Sequence, residues 1–173
     1  LRQFYVAATV CSPSRTAFMT SHSPARHFVH GHFATHDQNA ARSMPDWLDP
    51  QVVTLPGLLK SAGYATAHFG KWHLNGLRGP GVPIFKEDSH HPGAFGFDEW
   101  LSVTNFFDRN PIMSRKGKIE EYSGDSSEII VDEALKFIKA NVTANKPFFT
   151  VIWYGTPHDP WTAAKADKKS FTK

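Results

Sequence analysis

Three sets of residues in this sequence combine nucleophilic, cationic and imidazole side chains at spacings that let them act together. The first is Cys11-Ser12-Pro13-Ser14-Arg15. Cys11 is the only cysteine, so it has no intrachain disulfide partner and its sulfur is open to reaction or modification. Ser12 is expected to cap a helix that opens on Pro13, a residue that tolerates the first helical position because its missing N–H would have no intrahelical partner. Thr16, Ala17, Phe18 and Met19 continue that helix towards Thr20. Position 11 then lies among unpaired backbone N–H groups at the positive helix end, which favours an anion. Arg15, one turn on, adds a charge able to hydrogen-bond an oxyanion or the nucleophile.

The second set is Lys71-Trp72-His73, after the run Gly63 to Gly70. Residues 64–69 read as a strand that Gly70 breaks. Lys71 and His73 follow at its carboxyl end, the edge where open α/β sheets bind ligands. Residues two apart on extended chain point the same way, so both side chains are expected to converge on one site. The third set is His158, in a Pro-rich turn after the apolar run 148–154. That run, rich in aromatic and β-branched residues, reads as a buried parallel strand. Each set has a bland alternative: a buried structural thiol, a half-buried surface loop, a histidine in a turn. A tyrosine-phosphatase loop also sets a cysteine under a helix, but its arginine falls where Ala17 stands here.

These groups need elements to position them. Residues 3–7 read as a strand leading into Cys11. Thr54 is expected to cap a helix with Pro56 in its first turn, Leu55, Leu58, Leu59 and Ala62 at core spacing, and Gly63 as its stop. Asp125 and Glu128 have capping-box spacing before a helix with Val131, Ala134, Leu135, Ile138 and Val142 facing the core. Residues 22–51 hold His22, His27, His30, His32 and His36 with few apolar runs. They read as a solvated insertion lining a cleft, since neither a second cysteine nor an H-E-x-x-H motif supports a metal site. Residues 76–93, dense in Gly and Pro, read as a long rim loop.

A chain of 173 residues with 40% hydrophobic content can bury one substantial core. Its net charge of +3 suits anionic ligands, but Lys and Arg are scattered rather than set in a nucleic-acid stripe. No stretch is long and apolar enough to span a membrane. One cysteine leaves the redox compartment unreadable.

The pentapeptide C-x-P-S-R, the Gly63–Leu74 segment ending in Gly-Lys-Trp-His-Leu, and the strand–Pro–His segment around His158 together resemble the type I, formylglycine-dependent sulfatases. Ser21 and Asn75 depart from the family's usual glycines. The resemblance implies an α/β, alkaline-phosphatase-like sandwich with a mainly parallel central sheet and helices on both faces, incomplete at both ends, with residues 1–173 forming part of an N-terminal catalytic domain. It implies hydrolysis of a sulfate ester by the hydrate of formylglycine made from Cys11, through a sulfated hemiacetal that collapses to the aldehyde. Arg15 would stabilise the hydrate, Lys71 bind sulfate oxygens, and His73 hold or deprotonate the hydroxyl. His158 would protonate the leaving alcohol or position sulfate. The modified Cys11 would also be a ligand of one divalent cation, usually calcium in this family, whose other ligands fall outside this chain. Implied partners are a sulfated small molecule or carbohydrate and a formylglycine-generating enzyme. Export to periplasm, extracellular space or lysosome is the implied localisation. The 173-residue chain alone is expected to be inactive. Two other readings stay open: a phosphonate monoester or phosphodiester hydrolase of the same superfamily, and a non-catalytic fragment that keeps an anion pocket.

Overall fold

The fold is built outward from β1 (Ala65–Lys71), whose seven residues are all buried. A strand covered on both faces needs partners on both edges, and β1 has them. It pairs in parallel with β2 (Glu99–Val103) on one side and with β5 (Phe148–Trp153) on the other. Beyond β2 lie β3 (Ile112–Arg115) and β4 (Lys118–Glu121), both antiparallel, giving the order β4-β3-β2-β1-β5. The computed structural model describes residues 2–3, 5–76, 82–105, 107–159, 162–169 and 171.

Helices cover both faces of this sheet. On one face α4 (Ser126–Thr143) sets Ile130 and Ala134 against Ala67, Phe69, Leu101 and Val103. On the other, α1 (Cys11–Thr20) and the segment after it supply Met19, Val29, Phe33, Met44 and Leu48 against Trp72, Trp100 and Val151. Alternation along each strand sends successive side chains to opposite cores. Two short helices, α2 (His36–Ala41) and α3 (Leu55–Ser61), and a terminal turn, α5 (Lys165–Lys169), complete the described structure.

Several expectations are corrected. The three strands β2, β1 and β5 are parallel, as expected, but the sheet is made mixed by an antiparallel addition not read from the sequence, the β3–β4 hairpin. Its turn is Lys116-Gly117 with φ of 52° and 90°, the two left-handed residues that a tight hairpin requires. Gly70 does not end β1 but lies within it, at φ 104°. A Cβ there would sit 2.1 Å from the Trp153 carbonyl oxygen, so glycine is what lets β5 come so close. β5 is the parallel strand expected, yet it is an edge strand among the described residues and only Val151 is buried. Residues 3 and 5–7 are exposed irregular chain rather than a strand, with Tyr5 82% exposed, and Phe4 lies outside the described residues.

Thr54 caps α3, accepting from the Gly57 N–H at 3.2 Å and donating to the Phe95 carbonyl at 2.7 Å. The expected leucine face of α3 is not the buried one: Leu58 is exposed and Pro56 is buried. The helix packs through its backbone, since a Cβ on Gly96 would lie 2.4 Å from the Gly57 nitrogen. In α4, Asp125 caps through the Ser127 N–H at 2.8 Å rather than through a box with Glu128. Of its expected core face Ala134 is buried and Val131 and Ile138 are half-buried, whereas Leu135 and Val142 are exposed, and Ser126 and Ile130 are buried instead.

Residues 22–51 are largely exposed, but they are more than a solvated insertion. They hold a 3-10 turn (Pro24–His27), α2 with its Thr35–Gln38 capping box, and four core side chains. Of the expected rim loop, residues 77–81 lie outside the described residues. Ile84 within it is buried, and Pro83 bridges to Val103.

Candidate active site

The amino end of α1 and the carboxyl end of β1 meet at Cys11. The helix begins at Cys11 itself, with Val10 as an N-cap that makes no side-chain bond. Ser12 is therefore not the cap. It is buried in the first turn, and its Oγ accepts from the Phe33 N–H at 3.0 Å. Ser14 Oγ donates to the Ala8 carbonyl at 2.7 Å and fixes the approach to the helix. Ser21 closes it in the left-handed conformation at φ 57°, the position at which glycine is the usual residue.

Lys71 ends β1, and the chain continues beside β2 through Trp72 N–H to the Val103 carbonyl at 2.8 Å and His73 N–H to the Thr104 carbonyl at 2.6 Å. His73 is not extended, as the two-residue rule assumed, but left-handed at φ 48°. Its imidazole is held from both nitrogens. Nε2 lies 2.8 Å from the Phe33 carbonyl and Nδ1 lies 3.0 Å from Cys11 Sγ. A carbonyl only accepts, so Nε2 carries the proton and the Nδ1 lone pair faces position 11. Burial, reinforced by the charge of Lys71, lowers the His73 pKa to about 3, so the ring is neutral at working pH.

Lys71 is 3% exposed and its side chain hydrogen-bonds Cys11. Burial lowers its pKa to about 8, with Cys11 opposing the shift and Arg15 adding to it. Arg15 does not bond the nucleophile. Its Nη1 donates to the Lys71 carbonyl at 2.8 Å, and its guanidinium lies 4.3 Å above the Trp153 ring. Burial pulls its pKa down to about 10, which leaves it charged near neutrality, and its Nε is buried without a partner. A cleft of about 310 Å³ opens here, lined by Cys11, Ser14, Arg15, Phe18 and Trp153.

His158 stands in the turn that follows β5, after the cis Thr156–Pro157 bond. It is exposed, and its Nδ1 is 2.7 Å from the Asp159 carbonyl. Cys11, Lys71 and His73 are thus in direct contact, Arg15 joins them through the Lys71 backbone, and His158 lies at the carboxyl edge of the sheet with its imidazole engaged by Asp159.

His32 was not singled out for chemistry. Its ring centroid lies 6.4 Å from that of His73, at 45°. Burial and the charges of Arg42, Lys71 and His158 lower its pKa. Five histidines in one stretch gave no means of choosing it, because only the fold brings residue 33 under Ser12 and His73.

This arrangement offers a group at position 11 on a helix N-terminus, a neutral imidazole that accepts its proton, and two cations for an anion. Among the described residues, no three His, Cys, Asp or Glu side chains gather to hold a metal ion. No described helix is long and apolar enough to cross a membrane.

Known proteins resemble this chain in sequence and in fold. The porcine (Sus scrofa) N-acetylgalactosamine-6-sulfatase is 33% identical over 94% of this chain and 33% of its own length. The mouse (Mus musculus) steryl-sulfatase is 43% identical over 64% of the chain and 17% of its own length. The crystal structure of Ps i-CgsB superposes with a TM-score of 0.78 at 22% identity, over 96% of this chain and 39% of that one. BT4656, solved with its substrate D-glucosamine-2-N,6-O-disulfate, gives a TM-score of 0.65 at 26% identity, over 92% and 27%. The chain spans about a third of the length of the N-acetylgalactosamine-6-sulfatases it matches. The fold is the alkaline-phosphatase-like α/β class of these structures. The family model described as Sulfatase matches residues 1–173, and the chain belongs to the sulfatase family.

Proposed function

We propose that the protein hydrolyses a sulfate ester, R–O–SO3⁻ plus water giving R–OH and hydrogen sulfate, with position 11 as the nucleophile after oxidation of Cys11 to formylglycine. The observation that carries this reading is the contact of Cys11 Sγ with a neutral His73, 3.0 Å away, beside Lys71 and at the amino end of α1. Formylglycine supplies, as its hydrate, paired hydroxyls for attack on sulfur and for release of sulfate. The site fits an oxygen-bearing group there, because the Nδ1 lone pair of His73 accepts a proton from it. That transfer contributes about 10²–10⁴-fold in systems of this kind.

Lys71 and the N–H groups of α1 stabilise the sulfuryl oxygens as charge develops. Arg15 acts as a positioning residue, locking the Lys71 backbone and Trp153 while adding positive potential. In this reading His158, outermost, gives its proton to the departing alcohol or holds the sulfate. This chain's described residues do not assemble a metal cage, so it offers a cation, calcium in this reading, only the modified position 11. No step above depends on that cation.

The substrate class we favour is a sulfated carbohydrate. N-acetylgalactosamine-6-sulfatases are among its relatives, and solved neighbours hold glucosamine disulfate and neocarrahexaose. The reading includes a formylglycine-generating enzyme as maturation partner and export from the cytosol. The test is expression of the intact natural protein with such an enzyme, followed by mass spectrometry of the Cys11 peptide and kinetics on matched sulfate and phosphate esters of one alcohol. Formylglycine at position 11 and preference for the sulfate are expected, and Cys11→Ala should abolish turnover. Full activity with an unmodified thiol would overturn the nucleophile. Preference for phosphate or phosphonate esters would move the protein to the neighbouring hydrolases.

A further inference from the structure

The fold fixes His32 more firmly than an exposed loop histidine requires. Its neighbour Phe33 is held at both backbone polar groups, its N–H donating to Ser12 Oγ at 3.0 Å and its carbonyl accepting from His73 Nε2 at 2.8 Å. Ala34 N–H donates to Asn39 Oδ1 at 2.8 Å, and Asn39 is itself buried. The loop position of His32 is thereby tied to Ser12, next to the proposed nucleophile, and to His73, its proposed base.

We propose that His32 is a further substrate-contacting residue, meeting the alcohol portion of the ester on the solvent side of Lys71 and His73. The proposal rests on the reading of the protein as a sulfatase. Depth supports it. Lys71 and His73 are buried beside Cys11, whereas His32 is exposed with its ring 6.4 Å from that of His73. An ester whose sulfur approaches position 11 has its charged end inward and its alcohol outward, towards His32. Charge supports it as well. Burial and the positive groups Arg42, Lys71 and His158 all disfavour protonation of His32. A neutral imidazole presents one N–H and one lone pair, which matches a hydroxyl better than it matches an anion already met by Lys71. A rigid backbone lets that contact discriminate between alcohols rather than adapt to them.

The test compares His32→Ala and His32→Gln with the wild type in the intact natural protein, matured at position 11. The substrates are a sulfated hexosamine and 4-nitrophenyl sulfate, whose leaving group has no other hydroxyl. For the alanine variant, kcat/KM on the sugar should fall about tenfold, mainly through KM, as expected for one lost hydrogen bond. Hydrolysis of the aryl sulfate, inhibition by inorganic sulfate and formylglycine content should stay within about threefold of wild type. The glutamine variant, which can still donate and accept, should recover part of the loss. Unchanged hydrolysis of the sugar sulfate would overturn the role. An equal fall on both esters with weaker sulfate inhibition would overturn it too, by placing His32 against the sulfuryl group. A wild type inactive on both esters would overturn the sulfatase reading and this role together.

Discussion

At the scale of single residues, the site depends on side chains that never touch substrate. Ser12 is the clearest case. Replacing it with alanine leaves the buried Phe33 N–H without its acceptor, and Phe33 carries the carbonyl that fixes the His73 tautomer. A buried donor without a partner costs about 1–3 kcal/mol. Ser12→Ala should therefore lower thermal stability by several degrees and reduce kcat about tenfold. Formylglycine content, read by mass spectrometry, must be equal in both proteins for the comparison to hold. An unchanged kcat at equal maturation would show that His73 does not need the clamp. A second residue sets acid sensitivity. His68 is fully buried among Trp72, Phe97 and Trp153, its Nδ1 2.7 Å from Ser102 Oγ. Burial holds its pKa well below 6.5, with the charge of Arg15 acting in the same direction. As pH falls below 6.5 the unfolded chain takes up a proton here and the native protein does not, so stability declines on the acid side. His68→Gln should be less stable at pH 7 but lose less of its melting temperature between pH 7 and pH 5. Parallel melting curves for the two proteins would rule out His68 as a source of the acid loss.

At the scale of elements, close approach governs more than propensity does. Gly70→Ala would force a Cβ to 2.1 Å from the Trp153 carbonyl at a backbone φ of 104°. Neither backbone can yield without breaking the β1–β5 ladder or shifting Lys71, one residue on. The variant should be destabilised by about 3 kcal/mol or more, with most of it found insoluble on expression. Soluble protein with a wild-type melting temperature would mean that β5 does not lie so near β1. This glycine also shows what could be read from the sequence. That β1 exists, and that Lys71 and His73 lie at its end, was legible from the pattern of apolar residues. Gly70 was misread because a glycine that breaks a strand and one that admits a neighbour look alike before the neighbour is placed. The strand at 148–153 was legible from its apolar run, but its edge position depends on pairing, which no local pattern encodes. On α4 the reading found Ala134 but also took Leu135 and Val142, apolar yet exposed, and passed over the buried Ile130, because neighbouring apolar residues on a helix do not say which of them meets the sheet. The β3–β4 hairpin went unread because its strands are four residues each and neither carries an apolar run. Of the site, Cys11, Lys71 and His73 were legible because they fall in compact motifs. The role of Ser12 and the position of His32 were not, since both depend on contacts across more than twenty residues of chain.

At the scale of the whole molecule, the described residues bring the proposed nucleophile, Cys11, together with Lys71 and Arg15 but do not gather a set of metal ligands. Its apolar strand β5 has one partner, β1, among the described residues. The N-acetylgalactosamine-6-sulfatases it matches are about three times as long. Without a cation, the charge of a sulfate beside the attacking hydroxyl is countered only by Lys71, Arg15 and the amino end of α1. Loss of one preorganised electrostatic contact raises a barrier by about 3 kcal/mol, roughly two orders of magnitude in rate, and a metal ion supplies several such contacts at once. An edge strand made of such an apolar run, unpaired on one side among the described residues, also invites pairing between copies. The 173-residue chain, matured at Cys11 and assayed alone on an aryl sulfate, should therefore show no multiple turnover with or without added calcium. It should also self-associate as its concentration rises, as judged by light scattering. The intact natural protein, assayed in parallel, should turn over and lose activity on chelation. Calcium-dependent turnover by the isolated chain at the rate of the intact protein would show that these residues hold the cation themselves, and would place the metal site within this chain.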